Sequence, residues 1–348
     1  MIPLAGSLRL PLLAALGALF VWLLESLLDP YALSVAMFVG INIILAVSLN
    51  ITNGFTGLFS LGHPGFMAVG GYVTALLTML PARKGLMLPD LPSWLAGLHW
   101  GFLPALLAGG LCAVLVAVVV GFPVLRLRGH YLAVATLGFI IIVQTLLINL
   151  VGLTRGARGL NGLSPLTGPW WVYGWVVVTI YTCWTIKHAS LGRAMLAIRE
   201  NEMAAHCLGV NVTRVRLLAF VLGAFFAGIA GGLWAHLVTL VTPTSFSIVM
   251  SFMLVAMVVI GGSGSITGAV IAAAALPLAS EAVRPIEEGL GLYGLSQVLV
   301  ALGVLLILIY RPQGLFGTSE PRFLESRPAA LAHPREKPDT LTEKGGIR

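Results

Sequence analysis

Ten apolar runs of about 16 to 25 residues, at roughly 10–28, 31–50, 63–80, 101–122, 130–152, 170–187, 216–240, 246–261, 266–283 and 292–310, leave few folds open to this chain. An α-helix rises about 1.5 Å per residue, so some 20 apolar residues cross a hydrocarbon layer about 30 Å thick. The runs do not alternate apolar and polar positions as the strands of a membrane barrel do. With 58% hydrophobic and 9% charged residues and a mean hydropathy of +0.98, the chain has more apolar surface than a soluble domain of 348 residues could bury. The fold class is therefore all-α: a polytopic transmembrane helical bundle of about ten spans, short or broken helices included.

Charge sets an orientation. The net charge of +7 and pI near 9.7 do not mark a nucleic-acid binder, because the basic residues lie mainly in loops and tail. With the N-terminus inside, fifteen of the twenty Lys and Arg residues fall on the inner side and five outside (Arg83, Lys84, Arg155, Arg158, Arg284). The positive-inside rule then makes both termini cytoplasmic. Arg9 precedes the first run, which reads as a retained signal-anchor span since a second span follows at once. Trp94, Trp100, Trp170 and Trp171 flank the outer loops as an aromatic belt. Residues 1–310 form the membrane domain. The segment 311–348 is polar, carries Pro312, Pro321, Pro328, Pro334 and Pro338, and reads as a disordered cytoplasmic tail.

One polar segment, 190–216, interrupts the spans. It holds Arg193, Arg199, Arg214 and Arg216 with Glu200 and Glu202, and Lys187 just precedes it. At about 2.5–3.5 kcal/mol per Arg or Asp at mid-helix, such a stretch is excluded from hydrocarbon. Asn201 is placed to cap a helix of about two turns, with Glu202 in the first turn, where the dipole favours an anion, and Gly209 at the end. Glu202, Ala205, His206 and Gly209 then share one mostly small face. That face fits either a solvated connector or a surface that another protein approaches closely.

Two stretches look like broken helices: Asn53 to Gly65, with four glycines and a proline, and Gly261 to Gly268. Unwound backbone survives at membrane depth only where protein buries it or an aqueous path runs beside it. One break in each half is the pattern of a transporter built on an internal pseudo-repeat. A tight surface turn also fits the second.

The chain lacks the G-x-x-x-x-G-K-[ST] phosphate loop, so it does not itself hydrolyse ATP, and it has no HExxH motif or paired metal ligands. No catalytic or metal residues are expected. Cys112, Cys183 and Cys207 lack metal-ligand spacing and read as structural. Gly261-Gly-Ser263-Gly has the look of an intramembrane serine protease motif, but the one downstream histidine is His333, in the tail. Ion coupling would use ionisable residues inside spans, and Glu25, His63, His236 and Glu281 are the candidates. His63 is either an intramembrane ligand or a polar residue satisfied by the broken backbone. Asn42, Gln144 and Asn149 line a path or bond between helices. Asn50-Ile-Thr52 and Asn211-Val-Thr213 match the glycosylation sequon by chance.

Several motifs in order carry a resemblance. They are Gly57-Leu-Phe-Ser-Leu-Gly-His63-Pro-Gly-Phe66, Gly70-Gly-Tyr72, Ala135-Thr-Leu-Gly-Phe139, Thr154-Arg-Gly-Ala-Arg-Gly-Leu-Asn-Gly162, Gly192-Arg-Ala194, Glu202-Met-Ala-Ala205 with Gly209, Phe225-Phe-Ala-Gly228 and Gly261-Gly-Ser-Gly-Ser265. From about residue 40 to 310 the chain resembles LivM-type permease subunits of branched-chain amino-acid ABC importers. The resemblance implies a multi-pass protein of the bacterial inner membrane. Its implied partners are a second homologous permease, two cytoplasmic ATP-binding subunits, a periplasmic substrate-binding protein and membrane lipid. ATP would be bound by the partners, with no cofactor on this chain.

The resemblance also implies that 190–216 is the ATPase-coupling loop, with Glu202, Ala204, Ala205 and Gly209 at the positions that dock on the ATPase. Met203 is inserted between Glu202 and the Ala pair. Pro64 stands where a small residue is frequent. The translocation path is expected near Gly57, Gly62, His63, Gly65, Gln144, Gly261 and Gly262. Branched-chain amino acids are the implied substrates. A urea or short-amide importer of the same family is the alternative, and an ion-coupled carrier acting alone is the alternative from another class.

Overall fold

The computed structural model describes residues 17, 19, 21–127, 129–291, 294–311 and 314–317. Helices α1 (Pro30–Asn50), α2 (His63–Thr78), α3 (Phe102–Val124), α4 (His130–Asn149) and α5 (Pro169–His188) lead to two polar helices, α6 (Ser190–Glu200) and α7 (Glu202–Cys207). The bundle resumes with α8 (Val212–Val238), α9 (Ile248–Gly261), α10 (Ile266–Leu290) and α11 (Leu295–Tyr310). Nine of the ten expected spans thus coincide with helices; the first, 10–28, lies partly outside the described residues, with helix over 21–27. Six described helices are long and apolar enough to cross a membrane, or seven if α2 is joined to the short helix Pro81–Met87, which leaves it at 116°. The chain is an all-α, multi-pass membrane protein.

Helix α8 runs through the middle and packs most extensively on α2 and α3. Lipid tails are as apolar as leucine, so helices associate by close packing, which small residues permit. Here Gly70, Gly109 and Gly228 provide it. A Cβ on Gly109 would meet the Gly70 carbonyl oxygen at 2.7 Å, and one on Gly228 the Gly109 oxygen at 3.0 Å. The three backbones touch. By contrast, α4 leaves Ile142 and Leu146 exposed and α11 leaves Val298 and Ile309 exposed, as suits lipid or another membrane chain.

The bundle has a loop end, carrying α6 and α7, and an opposite end. At the opposite end Trp94, Trp100, Trp170 and Trp171 are exposed, and the motif Thr154 to Gly162 turns through positive φ at Arg155, Gly156, Gly159 and Gly162. Its two-residue strand, Leu160–Asn161, pairs antiparallel with Leu240–Val241. Beyond α11 the chain folds back: Leu315 N donates to Ile260 O at 2.7 Å, and Gly314 packs on Gly262. The start of the segment expected to be a disordered tail is therefore packed on the second break. Its remainder, 318–348, lies outside the described residues.

Candidate functional site

Both breaks lie at the loop end, and they meet. Helix α1 ends in a π turn, Ile51–Phe55, and the next helix begins only at His63. Side chains satisfy the backbone between. Asn53 exchanges hydrogen bonds with Ser60 (both 3.1 Å), Leu61 N donates to Thr136 Oγ1 at 3.0 Å, and Ser251 Oγ donates to Leu61 O. The first break is thus mostly buried in protein, one of the two conditions for unwound backbone at membrane depth. The second turns through Gly262 (φ +107°) and Gly264 (φ +99°), a region open to glycine without strain. Ser265 then caps α10 by accepting from Gly268 N at 3.1 Å.

Asn50 joins the two breaks. Its Oδ1 accepts from Gly264 N and its Nδ2 donates to Ser265 O, both at 2.9 Å. Gly54 lies so close that a Cβ there would reach Gly264 N at 2.6 Å. Against this seam lies α6, which buries Gly192, Met195 and Ile198 and exposes Arg193 and Glu200. From its last turn Arg199 Nη1 donates to Gly54 O at 2.8 Å and to Ser263 O at 2.9 Å. From the end of α5, Lys187 Nζ donates to Gly264 O at 2.8 Å and stands 5.7 Å from the Phe55 ring centroid.

Asn201 caps α7 as expected, its Oδ1 accepting from Ala204 N at 3.0 Å, and Gly209 (φ +82°) follows the helix end. The small face expected of α7 is divided: His206 and Gly209 are exposed, but Glu202 and Ala205 are turned toward the bundle. Ala205 is buried, and Glu202 is held by Arg216 of α8 in a two-pronged ion pair of 2.9 and 3.2 Å. These contacts fasten α7 to the bundle and turn Met203, Ala204, Cys207 and Leu208 outward, with Met203 72% and Leu208 82% exposed. Gly209 is also accessible, and Cys207, read as structural, is at the surface. Replacing Asn201 with alanine is expected to cost α7 about 1 kcal/mol. The check is amide exchange at Ala204, roughly fivefold faster while the bundle is unchanged.

Beside α7 a cleft of about 420 Å³ is lined by Gly57, Phe59, His130, Leu132, Glu202 and Arg216, among others. Of the expected path residues, Gly57 borders this cleft, and Gly261 and Gly262 belong to the second break. Gly62 and Gly65 make room for the Phe139 ring. Gln144 sits toward the opposite end, donating to Phe246 O at 2.8 Å. His63 opens α2 with its Nε2 3.0 Å from Ser48 Oγ, and Pro64 follows in the first turn, where a missing N–H leaves no helical bond unmade.

The other ionisable candidates are scattered. Glu25 accepts from Trp170, His236 bonds Thr78 and the Ser164 carbonyl, and Glu281 meets Tyr31 and Arg284. Among the described residues no group of three or more His, Cys, Asp or Glu comes together to hold a metal. Asn42 and Asn149 bond carbonyls of their own helices. Asn50, Lys187 and Arg199 carry the seam, and the sequence marks none of them for it: they read there as a chance sequon and as loop charges.

A family described as branched-chain amino acid transport system / permease component matches residues 31–310. The high-affinity branched-chain amino acid transport system permease protein LivM of Salmonella typhimurium is 33% identical over 325 residues, 84% of this chain and 71% of that protein. LivM of Escherichia coli K12 is 34% identical over 316 residues, 81% of this chain and 69% of its own. The permease protein LivH of Salmonella typhimurium is 26% identical over 300 residues, 80% of this chain and 91% of its own. No solved structure matches.

Proposed function

The chain belongs to the family of branched-chain amino acid transport permease components, and from that premise we propose that it forms, with a second related permease, the membrane path of an ATP-driven importer of branched-chain amino acids. It is a transport permease subunit and not an enzyme. Similarity to both LivM and LivH supports the related second permease. Two ATPases and a substrate-binding protein complete the assembly in this reading, in a bacterial inner membrane with both termini cytoplasmic.

The observation that carries the proposal is the position of α7. It is a short capped helix with two exposed apolar residues, fastened to α8 and joined through α6 to both broken helices. Such a helix is suited to take a push from a soluble partner. Met203, Ala204 and Leu208 would enter a cleft on the ATPase, with Gly209 giving room at the end. ATP binding would draw the ATPases together, move α7, and shift the ends of α1 and α9 between outward and inward openings.

The test is uptake by proteoliposomes that hold the full assembly. Leucine, isoleucine and valine are expected to accumulate with ATP, and a large excess of urea or acetamide to leave leucine uptake unchanged. Accumulation of urea or a short amide without leucine would overturn the substrate assignment.

A further inference from the structure

We infer that Arg199 is the positioning residue that transmits movement of α7 to both broken helices at once. The inference rests on the ATP-driven reading above and deepens it. Arg199 lies in the last turn of α6, two residues before the Asn201 cap of α7, so the helix that meets the partner and the guanidinium share one short stretch of backbone. One guanidinium nitrogen then donates to a carbonyl of each break, Gly54 O at 2.8 Å and Ser263 O at 2.9 Å.

The electrostatics favour this placement. Gly54 lies in the π turn that ends α1, and Ser263 follows the end of α9. Both are helix C-termini, where carbonyls lack helical partners and the dipoles present negative charge. A cation between two such ends attracts both, and Lys187 adds a second at Gly264 O, 2.8 Å away.

The packing shows that the side chain has been given its room. Glycine stands at three positions around it: a Cβ on Gly264 would lie 2.7 Å from Arg199 Nη1, and one on Gly57 3.2 Å from Arg199 Cγ. Gly54, which supplies a carbonyl, is the third. A lever held to both breaks by charge-assisted bonds moves them together, and without it α7 can shift while α1 and α9 stay where they are.

The experiment compares Arg199→Gln, Arg199→Lys and wild type in the full assembly, measuring retained ATPase subunit, ATP hydrolysis and substrate transported per ATP. Arg199→Gln is expected to keep the ATPase and its hydrolysis while transport per ATP falls about tenfold, and Arg199→Lys, which keeps the charge, to recover much of that loss. Lys187→Gln, which leaves Arg199 in place, is expected to lower transport per ATP by a smaller factor and carries the test if Arg199→Gln fails to fold. Transport per ATP unchanged in both glutamine variants overturns the inference. So does loss of the ATPase subunit from Arg199→Gln, since the residue would then serve docking. A wild-type assembly that transports without any ATPase removes the ATP-driven reading itself, a result distinguishable from either.

Discussion

Leu208→Asp is expected to strip the ATPase from the purified assembly and abolish ATP-dependent uptake while leaving the permease folded. Leu208 is 82% exposed and Met203 72% exposed, beside and on a helix of six residues whose own hold on the bundle comes from Ala205 and the Glu202–Arg216 pair. Neither exposed side chain supports the fold, so a charge there costs the isolated chain little. Against a partner the same change buries a carboxylate in an apolar contact. Central interface residues of this kind are worth about 2 kcal/mol or more, which is roughly thirtyfold in affinity. Met203→Asp is expected to act in the same direction. Co-purification of the ATPase reads both, and Leu86→Asp, 86% exposed at the opposite end, is the control that should retain it.

Gly228→Leu is expected to fail for a different reason, in the bundle and not at its partner. A Cβ at Gly228 would lie 2.8 Å from that of Ala113 and 3.0 Å from the Gly109 carbonyl oxygen, with Gly70 pressing from a third helix. Backbone cannot rotate aside as a side chain can. The helices must separate, which forfeits the close contacts that hold them in lipid and costs about 3 kcal/mol or more. Thermal unfolding in detergent measures the loss. Gly174→Leu, at an exposed position of α5 with nothing within 4 Å, is expected to change stability by about 0.5 kcal/mol or less.

Much of the architecture was legible in the residues. Long apolar runs have one stable form in lipid, and the sequence bounds of α1, α2, α4, α5 and α9 differ from the structural ones by no more than a few residues. The Asn201 cap and the Gly209 stop were legible because each is a local backbone requirement met by one residue. The orientation of α7 was not. Helical spacing says which residues share a face, but which face turns inward depends on Arg216, fourteen positions from Glu202 and on another helix. The seam was hidden for the same reason. Asn50, Arg199 and Ser265 come together only once α1, α6 and α10 are packed, and glycine-rich breaks announce themselves without naming what they touch.

ATP dependence of uptake is the measurement that bears most directly on this chain as the membrane path of an ATP-driven importer. Proteoliposomes with both permeases and the binding protein would be compared with and without the ATPases, and with ion gradients imposed or collapsed. Leucine accumulation only when the ATPases and ATP are present, and unchanged when gradients are collapsed, is the expected result. Accumulation driven by a proton or sodium gradient with no ATPase present would contradict it and leave an ion-coupled carrier in its place.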